Sequence, residues 1–338
     1  MPTNAAVRFF DNNNAVRGYI QSWNASIEKR FAGDWIGTVS YVATRSVNQL
    51  ANLEQNWSPI GTGNGGRILN TAAFGNRRVS TDLFGSLGTP KYDGLQTKLE
   101  HRMSNGFQMN FAYTWSHTRA YANEDSGAGP QRFGIPEFYD RNYGRADQDI
   151  RHNFQWTGIY ESPFGKGKKY LNSGPAAMIL GGWQFNNLLS LYTGTPFTVT
   201  APGGDLNAIG LGQVADCISD SNKLGNFRDQ SPMYDVSAYR DPNDVFGDNP
   251  RLGTCGFNNH SGAGLFNMDI GLFRKFQVTE KVDVQFRAEG FNITNTPKLN
   301  NPNSDVSSGN FMLITSQRNT GREGIRQRFF RFGLRIGW

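Results

Sequence analysis

The sequence predicts an all-β fold: an antiparallel transmembrane β-barrel, present in part, with long extracellular loops and short periplasmic turns. Three observations predict it. The first is the stretch from Arg328 to Trp338, where Phe330, Phe332, Leu334, Ile336 and Trp338 share one parity and Arg331, Gly333, Arg335 and Gly337 share the other. A strand sends alternate side chains to opposite faces, so one face is wholly apolar and the other carries charge. The second is low hydropathy: 37% of the 338 residues are hydrophobic, and mean hydropathy is −0.54. No apolar run approaches the roughly 20 residues of a spanning helix, which excludes a helical membrane protein. A barrel survives this test, because only alternate strand residues meet lipid. The third is that period-2 segments are joined by connections that alternate short and long, the order expected of periplasmic turns and extracellular loops.

The elements follow in sequence. Gly18 to Arg30 and Trp35 to Arg45 form a first pair around Phe31-Ala-Gly-Asp34. Tyr19, Trp23, Ala25 and Ile27 alternate with polar residues, whereas Ile36 and Val42 blur the second member. An Asn-, Gly- and Thr-rich loop runs from Ser46 to Pro90. The second pair is cleaner. Leu95, Thr97, Leu99 and Met103 alternate with Gln96, Lys98, Glu100 and Arg102, and a Ser104-Asn-Gly106 turn follows. Asn-Gly supplies the positive φ of a tight hairpin. Phe107, Met109, Phe111, Tyr113 and Trp115 then make an aromatic face.

After a polar loop to about Gln148, Phe154, Trp156 and Tyr160 define a fifth strand. The connector that begins Ser162-Pro-Phe-Gly165 leads to Trp183, Phe185, Leu189 and Leu191, a pattern that Leu188 breaks. The longest loop, Thr193 to Gly262, precedes a fourth pair, Leu265 to Phe276 and Lys281 to Phe291. A last loop, Asn292 to about Gly324, leads to the final strand. Thr195 to Thr200 is a candidate extension of the sixth strand, and Phe311 to Ser316 a candidate strand or inward-folding loop. With short turns in the periplasm, the first and ninth strands descend, and the carboxy terminus reaches the periplasmic edge.

Nine is an odd count, and bacterial single-chain barrels have even ones. The opening Met1-Pro-Thr-Asn-Ala-Ala-Val7 lacks the charged and apolar regions of a signal peptide. Both point to part of a longer protein. Residues 1–17 are expected to be an amino-terminal loop or truncation edge, and 18–338 a partial barrel domain without a plug.

Chemistry is sparse. The four histidines, His101, His117, His152 and His260, lack ligand spacing. No Gly-x-Ser-x-Gly appears, and Gly203-Gly-Asp205 and Gly210-Leu-Gly212 do not lead a strand into a helix, so neither a serine nucleophile nor a phosphate cradle is indicated. No cofactor is expected, nor an enzyme. The net charge of +6 is spread without a basic, aromatic-interleaved track, which speaks against nucleic acid. Cys217 and Cys255 are a candidate loop disulfide, against two unrelated thiols. Seven aspartates between Asp216 and Asp248 allow calcium on composition, but match no EF-hand spacing and suit a solvated loop better. The charged strand face, including Glu28, Arg30, Lys98, Glu100, Arg102, Arg151, Asp269, Asp283, Arg287, Glu289, Arg331 and Arg335, reads as ion pairing inside a barrel.

Several strings carry a resemblance. They are Gly264-Leu-Phe-Asn-Met-Asp-Ile-Gly-Leu-Phe-Arg-Lys-Phe276 and Glu280-Lys-Val-Asp-Val-Gln-Phe-Arg-Ala-Glu-Gly-Phe-Asn-Ile-Thr-Asn295, with Tyr92-Asp-Gly-Leu-Gln-Thr-Lys-Leu-Glu100, Asp149-Ile-Arg-His152 and Gly181-Gly-Trp-Gln184 in the same order. From about Gly18 onward the chain resembles the carboxy-terminal barrel region of TonB-dependent outer-membrane receptors, in particular the Oar-like group common in Acidobacteria. The resemblance implies a barrel of about 22 strands around a plug, of which roughly nine or ten are present here. It implies the outer membrane of a Gram-negative bacterium, with lipid and lipopolysaccharide around the barrel and TonB reached through an absent amino-terminal region. It also implies the barrel-assembly machinery, with Trp338 as terminal aromatic of the assembly signal, and an unknown solute bound by the extracellular loops and imported. Two rivals remain: an outer-membrane adhesion or secretion protein of the same fold, and a secreted soluble β-sandwich or β-solenoid that binds carbohydrate. The destination of the apolar faces separates them: packed on one another in a sandwich, one outward band in a barrel.

Overall fold

The computed structural model describes residues 6–10, 16–121, 134–165, 167–203, 206–209, 211–227, 230–246, 250–279, 281–318 and 327–338. Nine long strands build one antiparallel meander: β1 (Tyr19–Arg30), β2 (Trp35–Val47), β3 (Lys91–Ser104), β4 (Phe107–Tyr121), β5 (His152–Glu161), β6 (Trp183–Tyr192), β7 (Leu265–Gln277), β8 (Asp283–Phe291) and β9 (Phe329–Gly337). Each pairs only with its sequence neighbours along this path, apart from a short strand, Tyr143–Arg145, added to β4. β1 and β9 do not pair with each other, so the described sheet is an open arc.

Short connections fall on one edge and long ones on the other. The β3–β4 hairpin turns on Asn105 and Gly106, with φ of 52° and 80°; positive φ at both central residues matches the right-handed twist of the flanking strands. The β5–β6 connector holds a short helix, Gly174–Leu180.

Register is what makes the sheet a membrane structure. Residues directly opposite in a ladder share a face. One row across the sheet is Ile27, Val39, Thr97, Tyr113, Phe154, Leu191 and Phe266. A parallel row is Gly37, Leu99, Phe111, Trp156, Leu189 and Met268. A third is Phe107, Tyr160, Phe185, Leu272, Ala288 and Phe332. The opposite face reads Glu28, Thr38, Lys98, Ala112, Gln155, Ser190 and Asn267 in one row. Thus the alternation seen strand by strand stays in phase across the whole sheet. A one-residue slip at any ladder would have broken it.

Ile27, Phe332 and Leu334 on the apolar face are 78%, 70% and 74% exposed. In water such a band would be a costly patch; in hydrocarbon it is the solvated surface. The polar face carries its own pairs: Lys98 to Glu100 at 2.7 Å, and Arg331 to Glu289 at 2.9 Å across the β8–β9 ladder. No helix among the described residues is long and apolar enough to cross a membrane, which says nothing of strands.

Some expectations change. The stretches expected to be loop at 1–17 and 46–90 contain a small sheet, in which Thr81–Gly88 pairs parallel with Val7–Phe10 and antiparallel with Gln49–Glu54. These segments are far apart in sequence, so no short-turn signal marks their pairing. Thr195 to Thr200 does not extend β6. The strand ends at Tyr192, and Pro196–Phe197 pairs instead with His260–Ser261. Phe311 to Ser316 folds inward as a loop, with Met312 fully buried. In β6 the alternation inverts at one step. Asn187 lies in the apolar row between Gly158 and Ile270, and Leu188 faces the polar side between Thr157 and Asp269. Gly158 permits this, since a Cβ there would sit 2.5 Å from Asn187 Oδ1.

Candidate functional site: the loop cap and the polar face beneath it

The long loops fold together into a cap with its own core. Val199, Leu206, Val214, Met233, Leu252, Cys255 and Met312 are buried in one apolar cluster, joined by Ile135 from the β4–β5 loop. Backbone bonds tie the loops to each other: Ser58 N–H donates to the Ile209 carbonyl at 3.2 Å, and Met233 N–H to the Met312 carbonyl at 2.8 Å. Buried loop backbone needs such partners, and here the other loops supply them.

Two segments of the longest loop are zipped at Cys217 and Cys255, which form a disulfide. Around it, Asp216 accepts two bonds from the Arg251 guanidinium, at 2.9 and 2.5 Å, and one from Thr254 N–H at 3.0 Å. Gln213 Oε1 accepts from Val214 N–H and Gly253 N–H, both at 3.0 Å. Arg141 reaches across from the β4–β5 loop to donate to the Gly253 and Cys255 carbonyls, at 2.7 and 3.0 Å.

His260 is the buried polar hub of the cap. Its Nδ1 lies 2.6 Å from Asn259 Oδ1, an acceptor, so Nδ1 carries the proton and Nε2 accepts. Tyr239 Oη, at 2.5 Å, donates to the one lone pair of Nε2, and Ser221 Oγ lies 2.9 Å from the same nitrogen. Burial lowers the His260 pKa to about 4 and raises that of Tyr239 to about 12. The ring is a neutral strut at ordinary pH. A serine beside a histidine suggests a nucleophile, but Tyr239 already occupies the nitrogen that would act as base.

The cap is anchored at Asp149, which is fully buried. It accepts from Thr118 N–H at 2.7 Å and Arg145 Nε at 2.8 Å, and Arg145 goes on to Ser261 Oγ at 2.7 Å. Asn258 Nδ2 donates to the Arg145 carbonyl at 2.8 Å, which joins the β4–β5 and β6–β7 loops.

Beneath the cap, on the polar face, lies a cleft of about 340 Å³ between β5, β6, β7 and the start of the last loop. Gln155, Ser190, Asn267 and Asp269 form its polar wall, and Leu188 and Tyr192 its apolar one. Asp269 Oδ1 accepts from Asn267 Nδ2 at 3.0 Å and from Asn292 N–H at 2.8 Å. Asn292 is itself buried, with φ of 46°. Asn110 Oδ1, Asn153 Oδ1, Asn186 Nδ2 and Asn267 Oδ1 are buried on this face without a protein partner. Such atoms call for water or a polar guest. The cleft therefore offers amides and hydroxyls with one carboxylate, Asp269, and one ammonium, Lys298: a surface that can hydrogen-bond a polar solute.

The residues singled out from sequence take these places. Cys217 and Cys255 meet in the cap. Trp338 follows β9 at the short-turn edge and is 94% exposed. Asp216 is occupied by Arg251, Asp235 caps Ser237, and Asp241 accepts from Asn243 N–H. Asp229 and Asp248 lie outside the described residues. Among the described residues no three potential metal ligands gather. The break at Leu188 was the one visible sign of the cleft's apolar wall; Asn292 and His260 gave none.

A meander with an outward apolar band, a polar inner face and a folded extracellular cap defines an outer-membrane β-barrel. The family model for the outer membrane beta barrel domain matches residues 1–328, and the chain belongs to that family; it is a protein of the outer membrane. Among solved structures it is similar to the outer membrane transporter YddB from Escherichia coli, at 9% identity and TM-score 0.51, over 98% of this chain and 34% of that one. The FrpB iron transporter from Neisseria meningitidis is similar at 12% identity and TM-score 0.47, over 99% of this chain and 33% of that one. The chain thus spans about a third of the length of these transporters. The likeness to YddB shows the fold. No curated protein matches the chain.

Proposed function

We propose that residues 18–338 are the barrel part of a TonB-dependent outer-membrane receptor of the Oar-like group. Its extracellular cap binds a solute, which the whole protein imports with energy relayed by TonB and without bond chemistry. The carrying observation is the cleft beneath the cap, on the polar face, where Asn267 Oδ1 is buried without a protein partner, together with one such amide atom on each of Asn110, Asn153 and Asn186 elsewhere on the same face. A barrel that served only as an anchor would not need a folded cap leading to unsatisfied polar groups on its inner face. The barrel-assembly machinery would insert the chain, reading Trp338 as its terminal aromatic.

The test is growth and uptake in the source bacterium. Strains with and without the gene are fed a panel of metal chelates, vitamins and oligosaccharides at limiting concentration. Import predicts at least one compound whose accumulation needs both this gene and TonB, while surface binding persists without TonB. If accumulation of every compound is unchanged and the deletion instead loses attachment to surfaces, the adhesion reading stands in its place.

A further inference from the structure

We infer that the β5–β6 connector is not an aqueous turn but a monotopic foot: its short helix lies in the periplasmic leaflet, beside the barrel wall. The alternation of short and long connections assigns this connector to the periplasm. Its residues do not suit water. From Tyr170 to Gly182 no residue is charged. The helix, Gly174–Leu180, buries only Ala177. Met178, Ile179 and Leu180 follow one another around the helix, so the apolar surface is spread over several of its sides. Met178 and Ile179 are 76% and 65% exposed, and Tyr170 and Leu171 just before the helix are exposed as well. An apolar patch of this kind calls for a covering surface.

Contacts with the barrel wall fix where the helix lies. Trp183 begins β6 opposite Arg274 of β7, with the parity of Phe185 and Leu272 in the third apolar row. Its side chain is therefore on the outward face, at the short-turn rim. Trp183 Nε1–H donates to the Ile179 carbonyl at 3.0 Å, which holds the end of the helix against that outward face rather than under the inner one. The two limbs of the connector meet where a Cβ at Gly165 would lie 2.7 Å from Gly181 Cα. The exposed patch thus continues the band that meets hydrocarbon. Its flanks have the chemistry of a headgroup layer. Trp183 lies under the Arg274 guanidinium, 5.1 Å from ring centroid to Cζ, and Lys169 Nζ is 5.2 Å from the Tyr170 ring centroid. Lys168 is held by Glu161, whereas Lys169 forms no ion pair among the described residues and is left to meet phosphate. Apolar helix residues between a Tyr–Lys pair and a Trp–Arg pair make an interfacial segment. Its occupant is bilayer lipid, because the patch is continuous with a surface that lipid already covers. The foot does not depend on whether the barrel imports a solute.

The test uses the full chain folded into phosphatidylethanolamine–phosphatidylglycerol vesicles that contain no other protein. Single cysteines replace Met178, Ile179 or Leu180, and Ala32 in the β1–β2 turn as the aqueous control, in a background without Cys217 and Cys255. Each carries a fluorophore, and its depth is read from quenching by lipids brominated at two acyl positions and by an aqueous quencher. The labels at 178, 179 and 180 are expected about 5–10 Å into the boundary between headgroups and acyl chains. The label at 32 is expected in water. Ile179→Asp should move the label at 178 into water without changing the gel mobility of the folded barrel, and Ile179→Leu should keep it at depth. Aqueous quenching at all three helix positions equal to that at 32 would overturn the inference and leave the patch to water or a periplasmic protein. So would a label at 178 that keeps its depth in Ile179→Asp, since the wall rather than the helix would then be what places it.

Discussion

Placing one arginine at each of two adjacent positions of β6 tests the phase of the sheet. Leu189 lies in register between Trp156 and Met268 on the apolar face, and Ser190 between Gln155 and Asn267 on the polar face. Leu189→Arg puts a guanidinium into the hydrocarbon band. That costs about 2–4 kcal/mol near the midplane of a barrel, less toward the interfaces. At about 3 kcal/mol the folding equilibrium moves by roughly a hundredfold. Ser190→Arg adds the same bulk and charge one residue further on, but turns it toward the inner face, with Asp269 in the next row; its effect should stay within about 0.5 kcal/mol. The assay is urea unfolding of the protein folded into lipid vesicles, followed by tryptophan fluorescence and by the mobility shift of folded barrels on unheated gels. Equal damage from the two substitutions, or greater damage from Ser190→Arg, would refute the assignment of faces.

Three further outcomes are expected. Replacing Cys217 and Cys255 together by alanine opens a loop with a sequence separation of 38 and should destabilise the cap by ~4 kcal/mol on the chain-entropy estimate. Hydrogen exchange should then rise across residues 206–255 while the strand ladders stay protected. The His260 ring has a folded pKa of about 4, below the ordinary 6.5, so the neutral form is the one the fold favours. Its contribution is complete above about pH 6.5, declines as the pH falls through the interval, and is lost below about pH 4, a total of ~3 kcal/mol. Limited proteolysis of the cap against pH should show this acid lability, and His260→Gln should flatten it. Asp149→Ala strands the Arg145 guanidinium in the half-buried anchor of the cap and should cost about 3–5 kcal/mol. Protease sensitivity would rise in the 134–151 and 250–264 segments, and little change there would contradict the role given to Asp149.

The strands were legible because membrane strands carry their environment in every residue. Phe107 to Trp115 alternates so regularly that one periodicity fixes both the strand and its outward face. The phase between strands could not be read from any one of them, since it depends on where each ladder begins. The cap was opaque for a different reason. Its core gathers Leu206, Val214 and Met233 from separate points of the β6–β7 loop with Met312 from the last loop and Ile135 from the β4–β5 loop. Nothing in their spacing announces a cluster. The pairing of Val7–Phe10 with Thr81–Gly88 is hidden in the same way. The inner-face cleft showed itself only as an irregularity, the leucine at 188 where alternation required a polar residue. His260 looked like a lone loop histidine, because its partners Tyr239 and Ser221 lie at non-periodic distances before it.

The most direct measurement is a scan of β9 in a bilayer. Single cysteines from Phe330 to Ile336, introduced into a background without Cys217 and Cys255, carry a fluorophore that is quenched either by brominated lipid or by an aqueous quencher. Positions 330, 332, 334 and 336 should be quenched from the lipid, and 331, 333 and 335 from water, with a period of two. Aqueous quenching at every position, or no alternation at all, would mean that the apolar band does not face the membrane.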